Sequence, residues 1–187
     1  MAEKRKNWNG LISGFSASDL VFLDESGCNT DITRRYAYSF GGSRAVDSTP
    51  LSKPKNTTIL SSIQLNGTLH YTTFSGGTTV ERFKRYLETD LLPHLNGNSI
   101  LVMDNMKSHH AKAVKELLDS SGVRYIYLPP YSPDLNPFEK LWSKVKALLR
   151  KFKARTLDAL PNAIQNAFHS VTVSDCSGWF RFCGYAL

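Results

Sequence analysis

Three carboxylates stand where they could do chemistry. Asp24 follows the apolar run Leu20-Val21-Phe22-Leu23, Asp104 follows Ile100-Leu101-Val102-Met103, and Glu139 opens a helix behind Asn136-Pro137. Each has an ordinary structural use. Aspartate after a strand forms turns, and a glutamate at the third position of a helix begun by Asn suits a cap. Jointly they suggest more, because sites in open α/β sheets form outside the carboxyl ends of strands. If their strands are parallel neighbours, Asp24 and Asp104 meet there, and Glu139 can arrive from the loop after another strand. Three unneutralised carboxylates repel and raise one another's pKa. A hard cation such as Mg2+, with its oxygen ligands and retained waters, removes that conflict. Two such ions ~4 Å apart can activate an attacking oxygen and stabilise a leaving one at a phosphate. Glu25 should alternate away from Asp24, and Asp134 sits in a Ser-Pro-Asp turn, so neither joins the set.

The elements that must position these residues can be read from pattern. Leu20–Leu23 is a short buried strand ending at Asp24. Thr57–Leu65 and Thr68–Phe74 are β-prone runs around Asn66-Gly67, which suits a tight hairpin with positive φ at both central residues. Thr78 and Glu81 have capping-box spacing, starting a helix with Val80, Phe83, Leu87 and Leu91 inward and Pro93 at its end. Residues 99–103 are a strand covered on both faces. Ser108 caps a helix to about Asp119, stopped by Gly122, and Val123–Leu128 is another strand. Asn136 and Pro137 then start a helix with Phe138, Leu141, Trp142, Val145, Leu148, Leu149 and Phe152 at helical spacing. A last helix begins at Thr156, with Pro161 early in it, and the aromatic-rich tail from Ser174 packs back. This order predicts an α/β fold: a mixed five-stranded sheet flanked by helices, of ribonuclease-H-like type. Residues 1–18 read as a basic linker or arm, residues 19–187 as one domain, and 25–55 as a long insertion loop.

Composition sets wider bounds. The 187 residues carry 23 Lys and Arg against 16 Asp and Glu, a net charge of +7, which favours a polyanionic partner or a solvated basic surface. No apolar run reaches the roughly 20 residues that span a bilayer, and no signal-type segment follows the basic N-terminus, so a cytoplasmic location is expected. Cys28, Cys176 and Cys183 are too few and too scattered for a disulfide framework.

The segments VFLDESG, LVMDN and LPPYSPDLNPFEKLW closely resemble the three blocks of bacterial insertion-sequence transposases of the mariner superfamily, the insertion sequence 630-like group. Positions 105 to 138 place 34 residues between Asp104 and Glu139, an interval similar to that of their Asp-Asp-Glu catalytic domains. The resemblance runs over roughly residues 18–187 and includes the tail from Ser177 to Tyr185. It implies a ribonuclease-H-like fold with Asp24, Asp104 and Glu139 as the catalytic, metal-binding triad. The implied cofactor is Mg2+, or Mn2+ in its place, two ions per site. The implied reaction is hydrolysis at transposon ends, then attack of the freed 3′-OH on target double-stranded DNA, usually at a TA step. The enzyme would be nucleoid-associated when bound to DNA. Asn105 and Asn136 match family positions and would orient the neighbouring carboxylates.

Other residues keep two readings. His109 and His110 lie in a family-like context, against a plain reading as first-turn surface or capping residues. The loop 25–55, with Arg34, Arg35 and Arg44, falls where mariner-type enzymes contact the partner subunit of a homodimer. Lys140, Lys144, Lys146, Arg150 and Lys151 form a basic cluster, either a solvated helix face or a salt-dependent contact with the DNA backbone. Relatives carry N-terminal helix-turn-helix domains, whereas this chain begins in what resembles the linker after them. A separately encoded helix-turn-helix portion is therefore an expected partner. Two alternatives remain: a catalytically silent DNA-binding or dimerising remnant, and a nuclease acting on RNA–DNA hybrids.

Overall fold

A five-stranded sheet carries the site. The computed structural model describes residues 2–33, 36–48 and 55–185, so Arg34, Arg35 and Lys53 lie outside the described residues. The strands are β1 (Leu20–Cys28), β2 (Thr57–Gln64), β3 (Leu69–Ser75), β4 (Ile100–Met103) and β5 (Arg124–Tyr127), in the order β3-β2-β1-β4-β5. β1, β2 and β3 are antiparallel neighbours, while β4 and β5 run parallel to β1. The expected mixed sheet is thus observed.

The two faces follow from alternation along β1. Leu20 and Phe22 point to one core, beneath α1 (Ala2–Ile12), α4 (Phe138–Phe152), α5 (Leu160–His169) and α6 (Val173–Phe182). Val21 and Leu23 point to the other, beneath α2 (Val80–Tyr86) and α3 (Lys112–Ser121). Covered on both sides, β4 is buried at all four positions, as its unbroken apolar run requires.

β1 does not stop at Asp24. It continues to Cys28 because Asp24 to Cys28 pair with Ser61 to Thr57 of β2. The parallel ladder with β4 ends earlier, at Leu23 and Met103. Asp24 is therefore the first β1 residue beyond the end of β4, which keeps it at the mouth of the parallel sheet. Glu25 does alternate away, and it accepts a hydrogen bond from the Thr78 hydroxyl.

Several local expectations are corrected. Among Asn66 and Gly67 only Gly67 has positive φ, at 88°. The Gln64 N–H donates to the Thr68 carbonyl, leaving a three-residue loop instead of a two-residue one. Thr79, not Thr78, caps α2 by accepting from the Arg82 N–H. The helix then widens into a π turn at Leu87–Leu91 before a 3-10 turn at Leu92–His94. α3 starts at Lys112, since residues 107–110 form a turn ahead of it, and Gly122 ends it at φ 71° as anticipated. The expected arm contains α1, and its Trp8 is buried. α5 begins at Leu160, leaving Leu157 half exposed, and the tail forms α6 with a Thr172–Asp175 capping box.

Candidate active site

The loop after β5 brings the third carboxylate to the sheet. The Leu128 N–H extends the parallel ladder by donating to the Met103 carbonyl at 2.8 Å, and the Leu128 carbonyl accepts from Asn105 Nδ2 at 2.5 Å. Pro129, Pro130 and Pro133 stiffen the rest of the loop, and α4 starts after a 3-10 turn at Pro133–Leu135. The cap position of α4 falls on Pro137, one residue later than expected, and Asn136 closes the turn before it: its Oδ1 accepts from the Phe138 N–H at 3.1 Å. The Glu139 N–H donates to the Asn136 carbonyl, setting the first turn. Glu139 itself is exposed in the first turn of α4.

One cavity of about 470 Å³ is lined by Asp24, Asp104, Asn136, Glu139 and the loop from Leu128 to Pro133. All three carboxylates therefore border the same space. They are not packed as a closed cluster, since among the described residues no three His, Cys, Asp or Glu side chains form a ready ligand group.

Asp24 is held from three sides. The Glu25 N–H donates to Oδ1 at 2.7 Å, while Asn136 Nδ2 and Trp142 Nε1 donate to Oδ2 at 3.0 and 3.3 Å. Burial pushes its pKa up to about 6, the nearby Asp104 charge adds to the rise, and the three donors oppose it. Asp104 is the reverse case. Burial raises its pKa, but hydrogen bonding and charge from His109, with the Met106 N–H, outweigh that and leave it below the usual carboxylate value. His109 Nδ1 lies 2.7 Å from Asp104 Oδ1. Oδ2 of Asp104 accepts no hydrogen bond among the described residues.

His109 is wholly buried, stacked on Phe83 with centroids 4.2 Å apart, so it is neither a surface nor a capping residue. His110 stacks on Tyr127 at 4.1 Å and contributes weakly to the field at Asp104. Among the described residues the Asn105 side chain bonds to the Leu128 carbonyl and to no carboxylate. It pins the loop that carries Asn136, whereas Asn136 acts on Asp24 across the fold. Sequence reasoning placed Trp142 only in the core. Its indole N–H, four residues after Pro-Phe on the inner face of α4, was the signal that it needed a buried acceptor.

The basic candidates divide. Lys144 is paired with Asp175 at 2.5 Å, and Lys140 sits 3.8 Å over the Phe182 ring, so both tie α4 to α6. Lys146 and Arg150 are half-buried, and Lys151 and Arg44 are exposed. Lys153 and Arg155, just past α4, hold Asp47 and the Ser48 carbonyl, securing the loop around Arg44.

Tyr131, on the loop between β5 and α4, is a second site residue that sequence reasoning did not single out. Its φ is 54°, left-handed for a bulky aromatic, a conformation costing about 1–3 kcal/mol.

A sheet of this order, with acidic residues just past the end of the ladder between two adjacent parallel strands, has the ribonuclease-H-like arrangement. Residues 19–161 match the family model of the DDE superfamily endonucleases. The chain belongs to that family. It is 27% identical over 97 residues to the Tc1 transposase of Caenorhabditis elegans, covering 50% of this chain and 36% of that protein. It is 29% identical over 75 residues to the Tcb2 transposase of Caenorhabditis briggsae, covering 40% and 28%. The fold aligns with the Mos1 transposase paired-end complex with left transposon end at TM-score 0.80 and 21% identity, over 96% of this chain and 57% of that one. It also aligns with the Mos1 catalytic domain at TM-score 0.68 and 17% identity, over 96% and 85%. The chain thus spans about a third of the curated relatives it matches.

Proposed function

We propose that this chain is the catalytic domain of a transposase, cleaving double-stranded DNA at transposon ends and joining the 3′-OH to target DNA. The observation that carries the reading is the placement of Asp24 and Asp104 just past the end of the parallel β1–β4 ladder, on one cavity with Glu139. An all-oxygen donor set with two mutually repelling carboxylates suits a hard divalent cation. Asp24, Asp104 and Glu139 would hold Mg2+ or Mn2+, two ions per site, with Glu139 reaching across the cavity. When bound, such ions neutralise the phosphate and lower the pKa of an attacking water. The protein's own part is positional: Asn136 and Trp142 fix Asp24, His109 fixes Asp104, and the pinned loop fixes the start of α4.

DNA contact is assigned to Lys146, Arg150 and Lys151 with Arg44, and to Arg34 and Arg35, leaving Lys140 and Lys144 to hold α6. A homodimer, a helix-turn-helix portion joined through residues 1–18, and membership of the bacterial insertion-sequence group belong to the same reading. Among the described residues no helix is long and apolar enough to cross a membrane.

Nicking of supercoiled plasmid in Mn2+ or Mg2+ tests it. Cleavage by the wild-type chain should vanish in Asp24→Asn, Asp104→Asn and Glu139→Gln. Salt-sensitive DNA binding without metal-dependent cleavage would instead identify a silent remnant. Equal cutting by the three variants would move the site elsewhere.

A further inference from the structure

We propose that Tyr131 is a stacking platform for an unpaired nucleobase beside the phosphate at the carboxylates, an inference resting on the nucleic-acid reading above. Three observations converge on this ring. Tyr131 lines the same cavity as Asp24, Asp104 and Glu139. It is 90% exposed, so it packs no core, and no ring among the described residues stacks on it. Its backbone is left-handed at φ 54°, an unfavourable state for an aromatic residue that the surrounding loop imposes.

The loop imposes it through fixed ends. Leu128 is held at both its N–H and its carbonyl, Pro129 and Pro130 precede Tyr131, and Asn136 is bonded to Asp24. Such a segment has little freedom to tuck the ring away, so the aromatic face stays presented at the cavity.

The chemistry of the cavity selects the ligand class. Among the described residues no Lys or Arg lines it, so the protein has no cation there to grip a phosphate. Tyr131 is the one aromatic in that lining, among the described residues. A π-face accepts any base, which suits a cleavage site where the sequence is read elsewhere. A base in an intact duplex is covered by its neighbours and offers no face. The platform therefore takes a base already unstacked, at a frayed end, nick or distorted step.

The experiment uses the full chain with Ca2+, so that binding is read without strand cleavage. The probe is a short duplex with a 2-aminopurine overhang next to the junction, compared with the same sequence fully paired. Wild type should quench the overhang probe on binding. Tyr131→Asn, chosen because Asn tolerates the left-handed backbone, should lose the quench and bind the overhang about tenfold more weakly, in the range of base–aromatic stacking. Its affinity for the paired duplex should stay within about twofold, as expected where no base face is available. Tyr131→Trp should keep both signals, and unchanged melting temperatures would exclude misfolding.

Equal binding and quench in wild type and Tyr131→Asn would overturn the proposal, as would equal loss on both DNAs. Absence of any quench in wild type would overturn it too. A quench that depends on Tyr131 in a chain that never cuts DNA would support the platform and reject the transposase chemistry alone.

Discussion

Asp24 and Asp104 end up side by side, yet the fold treats them in opposite ways. Asp24, on the long strand β1, is surrounded by the start of α4 and sheds water; burial makes its charge unfavourable, and its pKa rises to about 6. Asp104, at the end of the short β4, receives a buried histidine at 2.7 Å and stays ionised more readily than a free aspartate. The pair teaches that proximity of two acids does not make them equivalent. One is held ionised by its neighbours, and the other is a carboxylate whose ionisation a nearby positive charge would favour.

Removing the histidine should disturb this asymmetry most. His109→Ala deletes a fully buried ring beneath Phe83, and an aromatic truncation of that kind costs about 3 kcal/mol. Urea melts should register the loss, and the Asp104 pKa should rise towards that of Asp24, measurable by carboxylate NMR.

The next effect concerns stability and pH in metal-free protein. Asp24 has a folded pKa near 6 against about 3.9 unfolded. The native state thus binds more protons in that window, and stability must fall as pH rises from about 4 to about 6. Asp104 slopes the other way: its contribution is present above the unfolded carboxylate pKa and is lost as pH falls below it. Asp24→Asn should flatten the first slope, while its amide NH2, facing a donor where Asp24 accepts, offsets the gain from removing the buried charge. A melting series from pH 4 to pH 7 in chelator decides it, and an unchanged slope in the variant would contradict the assignment.

The smallest effect should come from Trp142→Phe. The ring stays in the core while one hydrogen bond to Asp24 is lost, at about 1 kcal/mol. Because that donor favours the ionised form, the Asp24 midpoint should move above about 6. A variant that only loosened the core would lower stability without moving that midpoint.

Much of this was legible in the sequence, because the signals were local. The apolar runs of β1 and β4, Gly67 in the hairpin, Gly122 ending α3 and the Asn136-Pro137 start of α4 each follow from a few adjacent residues. The spacing of Asp24, Asp104 and Glu139 likewise pointed to one cavity. The features that could not be read depended on distant partners. Asp24-Glu25-Ser26-Gly27 looks like a break until β2 supplies its ladder, and His109 looks like a surface residue until Phe83 covers it. The bond from Trp142 to Asp24 joins residues 118 positions apart. The arm's helix had little amphipathic pattern to announce it, and the left-handed state of Tyr131 arises from the anchoring of a whole loop.

Asn136 carries a consequence for which substitutions the protein can tolerate. One end of its amide accepts from the Phe138 N–H and the other donates to Asp24. Aspartate would keep the first role and set a repelling charge against the second, while alanine would abandon both. Glutamine adds a methylene to a side chain whose two ends are already placed. A mutational scan would register this position as intolerant for two unrelated reasons, a helix start and the buried carboxylate of Asp24. Only scoring folding and cleavage separately would tell them apart.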